Sequence, residues 1–488
     1  MPAQCVMAAP VPADACPPAG VAGLGVLSCE ISPCLVDEVI GLAGCREKRR
    51  RLLPAQAVVY FVLGLCLFSG ADSAAPPGYR SVMRWLTNGV RHLHGLVLPT
   101  SSALTRARQR LGAKPLELLF DLRRGVLAGA ETPGAFAFGL RLVAWDSTCL
   151  DAADTPANLE AFGVARTGGG NPQVRLLALT ECGTRALVDA VFDGAGQVSE
   201  QVLARRLLAS LAPGMLLLAD RNFPGHQLWG LAAATGADLT WRIKKNLVFP
   251  PLKVLPDGSF HSVMRTPAEN VRHWQARAAG RVPAGPAQGH LVRVIEYTVT
   301  ADDGSGSTRT EPFRLVTTLL DHEQAPAAQI AASYHQRWEI ENSYGELKTR
   351  LRGASFILRS RSPELVCQEL YAFLTIYQAL CALKADAART AGIDPDRISF
   401  TVTIRIARDH ASNQVSLFAP GFSQARSQAI RDILGDLLPR QRNRQCQRVK
   451  KPPKNTFPAR KHGQARPPGK ITYTITVNPQ ATPPAQTP

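Results

Sequence analysis

Apolar and polar positions alternate along this 488-residue chain with a period that changes from region to region. Between Pro54 and Arg124 the spacing is helical. Ala57–Phe68 forms the apolar body of one helix opened by Pro54, and Tyr79–Asn88 forms a second. A third runs from Ser102 as N-cap to Gly112, and Lys114–Arg124 makes a fourth. From Gly139 short apolar runs bounded by turn residues take over. Leu140–Trp145 ends at Asp146. Val174–Thr180 and Arg185–Val191 flank a turn at Glu181-Cys182-Gly183, and Gly214–Ala219 is a continuous apolar run that stops at Asp220. Helices at Ser199–Leu211 and Gly225–Ala234 and a strand at Asp238–Ile243 complete a mixed α/β sheet covered by helices. Residues 245 to about 310, rich in Pro, Gly and Val, interrupt that pattern as a mainly β insertion, with a strand at His290–Thr300 and, just beyond the insertion, another at Phe313–Leu319. Helical spacing returns at Ser362–Ala388 and Gln428–Leu437, and Ile471–Val477 alternates like a strand.

Ahead of those last helices, Tyr334–Lys348 reads as one helix. At roughly 100° per residue, Tyr334, Arg337, Glu341, Tyr344 and Lys348 share a narrow arc, with Ile340, Leu347 and Leu351 beside it as the buried face. Glu339 and Glu346 point elsewhere. Such a stripe is ordinarily a solvated salt-bridge face. Its alternative is one acidic metal ligand flanked by groups that grip phosphate.

Charge weighs on that choice. The net charge of +18 calls for a polyanionic partner, nucleic acid or an anionic surface. The longest apolar run, Ala57–Phe68, is shorter than the roughly 20 residues of a membrane span, and no signal peptide opens the chain, so a cytoplasmic protein without a membrane partner is expected. The 11 cysteines form no Cys-x-x-Cys pair, which suggests free thiols in a reducing compartment. Residues 1–45 carry no Lys or Arg and are expected to be disordered, apart from a short helix at Ser32–Ala43. Arg440–Lys470 carries no acid and much Pro, and should be an extended basic arm.

Two aspartates closing neighbouring buried strands, with a glutamate on a later helix, suggest a site, because open sheets place their chemistry at strand ends. Asp146, Asp220 and Glu341 brought together would repel one another unless cations sat among them. Two hard divalent ions, magnesium before manganese, fit such oxygens and can activate one side of a phosphodiester while stabilising the other. The positive field would bring in the polyanion carrying it.

Trp145-Asp146-Ser147-Thr148, followed by Asp154-Thr155-Pro156, Asn158 and Phe162-Gly163, resembles the first catalytic block of bacterial insertion-sequence DDE transposases of the IS-four branch. Gly214–Phe223 resembles the second block, and Tyr334, Arg337, Glu341 and Lys348 have the spacing of the branch's Tyr-Arg-Glu-Lys signature. Arg51–Phe120 is similar to the N-terminal domain of one subgroup. Ser147 replaces a usual Gly, and Asn222-Phe223-Pro224 replaces a more common Gly or Glu before the aromatic. The resemblance implies a ribonuclease H-like core. Asp146, Asp220 and Glu341 would be its catalytic metal ligands, and Tyr334, Arg337 and Lys348 its contacts to DNA phosphates near the cleaved end. Related enzymes stack a Trp of the insertion on a flipped base during hairpin formation, for which Trp274 is the candidate, although core packing is the more ordinary role for such a residue.

The expected organisation is thus a disordered segment (1–45), a helical DNA-binding domain (46–128), a core in two parts (137–244 and 311–438) around a β insertion (245–310), and a basic arm (439–488). The expected activity is cut-and-paste transposition: hydrolysis at element ends, then strand transfer. Double-stranded DNA, as terminal inverted repeats and as target, is the partner, and a dimer forms on it in the bacterial nucleoid. A metal-dependent nuclease on the same core without strand transfer, or a decayed DNA-binding copy, are the alternatives.

Overall fold

The structure, a computed structural model, describes residues 24–49, 51–70, 76–94, 97–164, 170–244, 246–281, 288–302, 308–353, 357–413, 421–439 and 472–478. The chain divides into two compact units. One comprises Met1–Thr132, Ser147–Ser199 and Glu341–Leu437; the other comprises Pro133–Asp146, Glu200–Ile340 and Leu438–Pro488.

The first, mainly helical unit is built around helices α1 (Pro33–Leu42), α2 (Ala55–Leu67), α3 (Tyr79–His94), α4 (Ser101–Leu111) and α5 (Lys114–Arg123). α2 is apolar on all sides and is buried along its length. It approaches α3 so closely that a Cβ on Gly64 would fall 2.7 Å from Leu86 Cδ1. α4 starts two residues earlier than its sequence suggests, because Thr100 and not Ser102 caps it, accepting from Ala103 N. Residues 24–45, expected in a disordered segment, are folded. Leu24, Leu27, Val36 and Val39 are fully buried, and Ser32 caps α1. Their apolar residues find a partner surface that composition alone does not reveal.

The spine of this unit is α12 (Pro363–Ala391), which packs on α2, α5, α13 (Phe400–Ser412) and α14 (Gly421–Leu434). α13 has no counterpart in the sequence expectation. α12 is also long and apolar enough to cross a membrane by length and composition, contrary to the expectation that no stretch is. Yet 89% of its apolar window is buried inside the fold, as a core helix would be.

Arg108 ties the N-terminal helices to α12. Although it lies in the stretch read as a helical DNA-binding domain, Arg108 is 1% exposed and donates to Gln368 Oε1 at 2.8 Å, Ser360 Oγ at 2.9 Å and the Tyr79 hydroxyl. Such a cation is tolerable inside because its fork of donors is satisfied. The unit also holds the end of β2 (Leu140–Asp151), α6 (Pro156–Phe162), and the hairpin of β3 (Gln173–Glu181) and β4 (Leu187–Gly194).

The second unit is a mixed sheet. The first half of β2, with β1 (Phe136–Ala137) at its edge, runs parallel to β5 (Met215–Ala219), which runs parallel to β6 (Asp238–Arg242). α7 (Glu200–Leu207) and α8 (His226–Ala233) make the crossovers. Beyond β6 the order continues through β10 (Thr308–Thr317), β9 (Gly289–Asp302), β8 (Phe260–Arg265) and β7 (Lys253–Val254), all antiparallel. The insertion is therefore a continuation of the core sheet. It is also less purely β than expected, since it contains the 12-residue helix α9 (Pro267–Ala278). Trp274 on that helix is 73% exposed, which overturns the core-packing role. β11 (Thr472–Val477) pairs with β9 as a further edge strand. The basic interval Arg440–Lys470 lies outside the described residues. Cys34 is disulfide-bonded, against the expectation of free thiols, while Cys66 and Cys381 are buried thiols.

Candidate active site

β2 and β5 carry apolar residues because both faces of a central parallel strand are covered. Trp145 and Ala219, the last residues before the aspartates, are fully buried. Arg141 pairs with Met215 and Ala144 with Leu218. Continued two residues further, this register sets Asp146 abreast of Asp220, on strands about 4.8 Å apart. Both carboxylates emerge half-buried where the apolar runs end. Phe223 closes the turn after Asp220 and packs on Trp145 with ring centroids 5.4 Å apart, so Pro224 follows a firmly held aromatic. Asp220 Oδ1 accepts from Arg221 N at 2.7 Å.

The segment from Ala327 to Leu351 is helical throughout, but it is not the single α-helix that its arc assumes. α10 (Ala327–Tyr334) passes into a 3-10 turn at His335–Arg337, then α11 (Trp338–Gly345), then a π-helix at Glu346–Leu351. Three residues at 120° in place of 100° turn the face by roughly 60°, so the signature residues do not all face one way.

Before Ile340 the signature residues serve the two aspartates. Tyr334, 3% exposed, donates its hydroxyl to the Ala219 carbonyl at 3.2 Å. Burial raises its phenol pKa most, Arg337 offsets part of that, and the Asp220 carboxylate adds to it, so the group stays protonated. Arg337 Nη1 lies 3.4 Å from Asp146 Oδ2 with only 8% of its side chain exposed. A guanidinium there relieves the repulsion of two abreast carboxylates. Asp146, Asp220, Tyr334 and Arg337 thus meet within the sheet unit.

After Ile340 the partners are those of the helical unit. Glu341 is half-buried on α11. The Tyr344 hydroxyl accepts from Ala178 N at 3.1 Å, and Lys348 Nζ donates to Thr148 Oγ1 at 2.9 Å and to the Cys149 carbonyl at 3.0 Å. Burial and then Arg352 hold the Lys348 ammonium below the ordinary lysine range. Glu346 does point elsewhere: it bonds Arg185 Nη1 at 2.5 Å, and the same guanidinium reaches Asp396. Arg185 adopts a left-handed backbone, φ 65°, at the β3–β4 turn.

Sequence reasoning gave no site role to Arg185 or Asp396, and named Thr148 only as part of the first block. Thr148 and Arg185 gain their meaning only from partners some 160 to 200 residues away. Asn158, one of the first block's signature residues, is fully buried and donates to the Ala153 and Ser360 carbonyls, while Thr155 caps α6. These motif residues hold the backbone that follows Asp146.

The donor set suits a hard divalent ion, since two carboxylates half-exposed at adjacent strand ends offer oxygens only. Among the described residues no three His, Cys, Asp or Glu side chains gather as an ion would require.

Comparison with known proteins gives this arrangement a family. Residues 21–121 match the model for the N-terminal region of insertion element 4 transposases, and residues 137–377 match the transposase DDE domain. The class is that of DNA-cleaving transposases dependent on divalent metal, with the ribonuclease H-like core that the DDE domain implies. This chain belongs to the insertion element 4 family of DDE transposases. It is similar to the transposase InsG for insertion sequence element IS4 of Escherichia coli (strain K12), 27% identical over 378 residues, 76% of this chain and 79% of InsG. The putative transposase InsZ of the same organism is 30% identical over 216 residues, 42% of this chain and 66% of InsZ. A cryo-EM structure of the piggyBac transposase synaptic complex with hairpin DNA aligns over 84% of each chain at 9% identity and a TM-score of 0.41, too slight a likeness to bear on the fold.

Proposed function

We propose that this transposase moves its element by a cut-and-paste route, with Asp146, Asp220 and Glu341 as ligands of two divalent ions, magnesium by preference. The observation that carries the reading is the β2–β5 register, which sets Asp146 and Asp220 abreast at the open end of the sheet. Bound ions would supply activation of the attacking oxygen and stabilisation of the leaving one at the scissile phosphodiester. Tyr334 fixes the strand end through Ala219, and Arg337 holds Asp146 in place until DNA arrives. Of the three expected phosphate contacts, Arg337 and Lys348 would then meet phosphates near the cleaved end, while Tyr334 stays on the Ala219 carbonyl. Trp274, exposed on α9, is free to stack on a base flipped from a hairpin end. Joining two element ends calls for two copies of the chain on the DNA, which lies in the bacterial cytoplasm.

An excision assay on a plasmid carrying the element's flanking repeats tests this. Asp146→Asn, Asp220→Asn and Glu341→Gln should each lower excision by roughly a thousandfold or more, the scale of losing a group that acts in the transition state, with thermal melting unchanged. Wild-type excision in any one of them removes that residue from the site. Products cut but never joined to target would favour a nuclease.

A further inference from the structure

The segment between α1 and α2 turns basic at Arg46 and borders a cavity of about 470 Å³. Arg46, Lys48, Arg49, Arg51 and Arg110 line it together with the single carboxylate Glu47, leaving four positive charges in excess. That carboxylate is used internally. Glu47 Oε2 accepts from Ala55 N at 3.2 Å, and Oε1 lies 3.6 Å from Arg110 and 4.0 Å from Arg51. Glu47 is thereby turned inward, and the cations on either side of it are turned out. Arg46, Lys48 and Arg49 are exposed, and among the described residues none of the three makes a hydrogen bond or an ion pair. α2 begins at the same cavity with Ala55, whose N–H the Glu47 carboxylate already accepts.

Arginines and lysines on a surface are ordinarily solvated and paired with nearby acids. Here one acid organises the rim and three cations are left unpaired around a concavity, an arrangement that suits an anion with several oxygens. We propose that this pocket seats the phosphate backbone of duplex DNA, and that it, not the buried Arg108 of α4, is the docking point of the N-terminal helices. The proposal rests on the transposase reading, which supplies DNA as the polyanion.

The test is binding of the full-length chain to a mixed-sequence duplex across a salt series. The triple variant Arg46→Gln/Lys48→Gln/Arg49→Gln should lower the log–log salt slope by about 0.9 for each phosphate no longer neutralised, so by up to about 2.7. It should also weaken binding about tenfold or more at low salt. Lys48→Gln alone, a change to an exposed side chain without partners, should move both in the same direction by about a third. A matched variant, Arg389→Gln/Arg405→Gln/Arg431→Gln, removes three charges from α12, α13 and α14 and should leave the slope within error. An unchanged slope in the triple variant overturns the proposal, and so does an equal drop in the matched variant, which would mean a diffuse field only. If the wild-type chain binds no duplex, the transposase reading itself fails, and that result is distinct from both.

Discussion

The two halves of the helical run from Ala327 to Leu351 do different work. The first half ends in a tight 3-10 turn and gives Tyr334 and Arg337 to the strand ends at Ala219 and Asp146. The second half ends in a wide π-turn and gives Tyr344, Glu346 and Lys348 to Ala178, Arg185, Thr148 and Cys149. One stretch of sequence with one apparent stripe thus anchors two different pieces of structure. The departures from α-helical winding lie on either side of Ile340, where the partners change. π-turns are rare and concentrate at functional sites, and here the π-turn's own first residue, Glu346, is buried on an arginine.

The halves can be separated experimentally. The largest effect should come from Glu346→Ala, which takes one acid from Arg185, 13% exposed and also paired with Asp396. Breaking one partner of such a pair costs about 3 kcal/mol. Urea unfolding with hydrogen exchange should show the loss in β3 and β4 and leave protection in β5 unchanged. Equal loss in β5 would abolish the distinction between the halves. Tyr334→Phe should act the other way round, costing about 1 kcal/mol for one hydrogen bond, with faster exchange at the end of β5 and reduced excision. The smallest effect concerns pH. Lys348 has a folded pKa held below its unfolded value, so within that window the folded chain binds fewer protons and stability rises slightly with pH. If Lys348 meets a phosphate as proposed, its charge is lost over the same window, and excision should fall on the alkaline side. Lys348→Arg should move that limb upward. Tyr334→Phe should not, because the raised phenol stays protonated there. A limb that ignores Lys348→Arg would assign it elsewhere.

What could be read from the sequence follows from which interactions are local. Strands β2 and β5 announce themselves as apolar runs halted by Asp146 and Asp220, because burial of both faces demands that composition. The helix α9 is announced just as locally, although the β reading of its surroundings hides it: Thr266-Pro267-Ala268-Glu269 is a capping signal, and Thr266 does accept from Glu269 N. Arg108 too is legible. It lies four residues after Leu104 and three before Leu111, on the apolar face of α4, which is no place for a DNA contact. The 3-10 and π segments are not legible, since they answer to partners that come from elsewhere in the chain. Residues 24–45 read as disordered because their apolar side chains are satisfied by helices far along the sequence, α13 among them.

Arg108 also bears on how such proteins diversify. Its guanidinium is completed by Tyr79 of α3 and by Gln368 and Ser360, so the first helices of the chain close their interior with residues contributed some 250 positions later. A head of this kind is not portable. Grafted onto another protein, or expressed alone, it would carry an arginine stripped of most of its acceptors, so it changes only together with the chain that completes it.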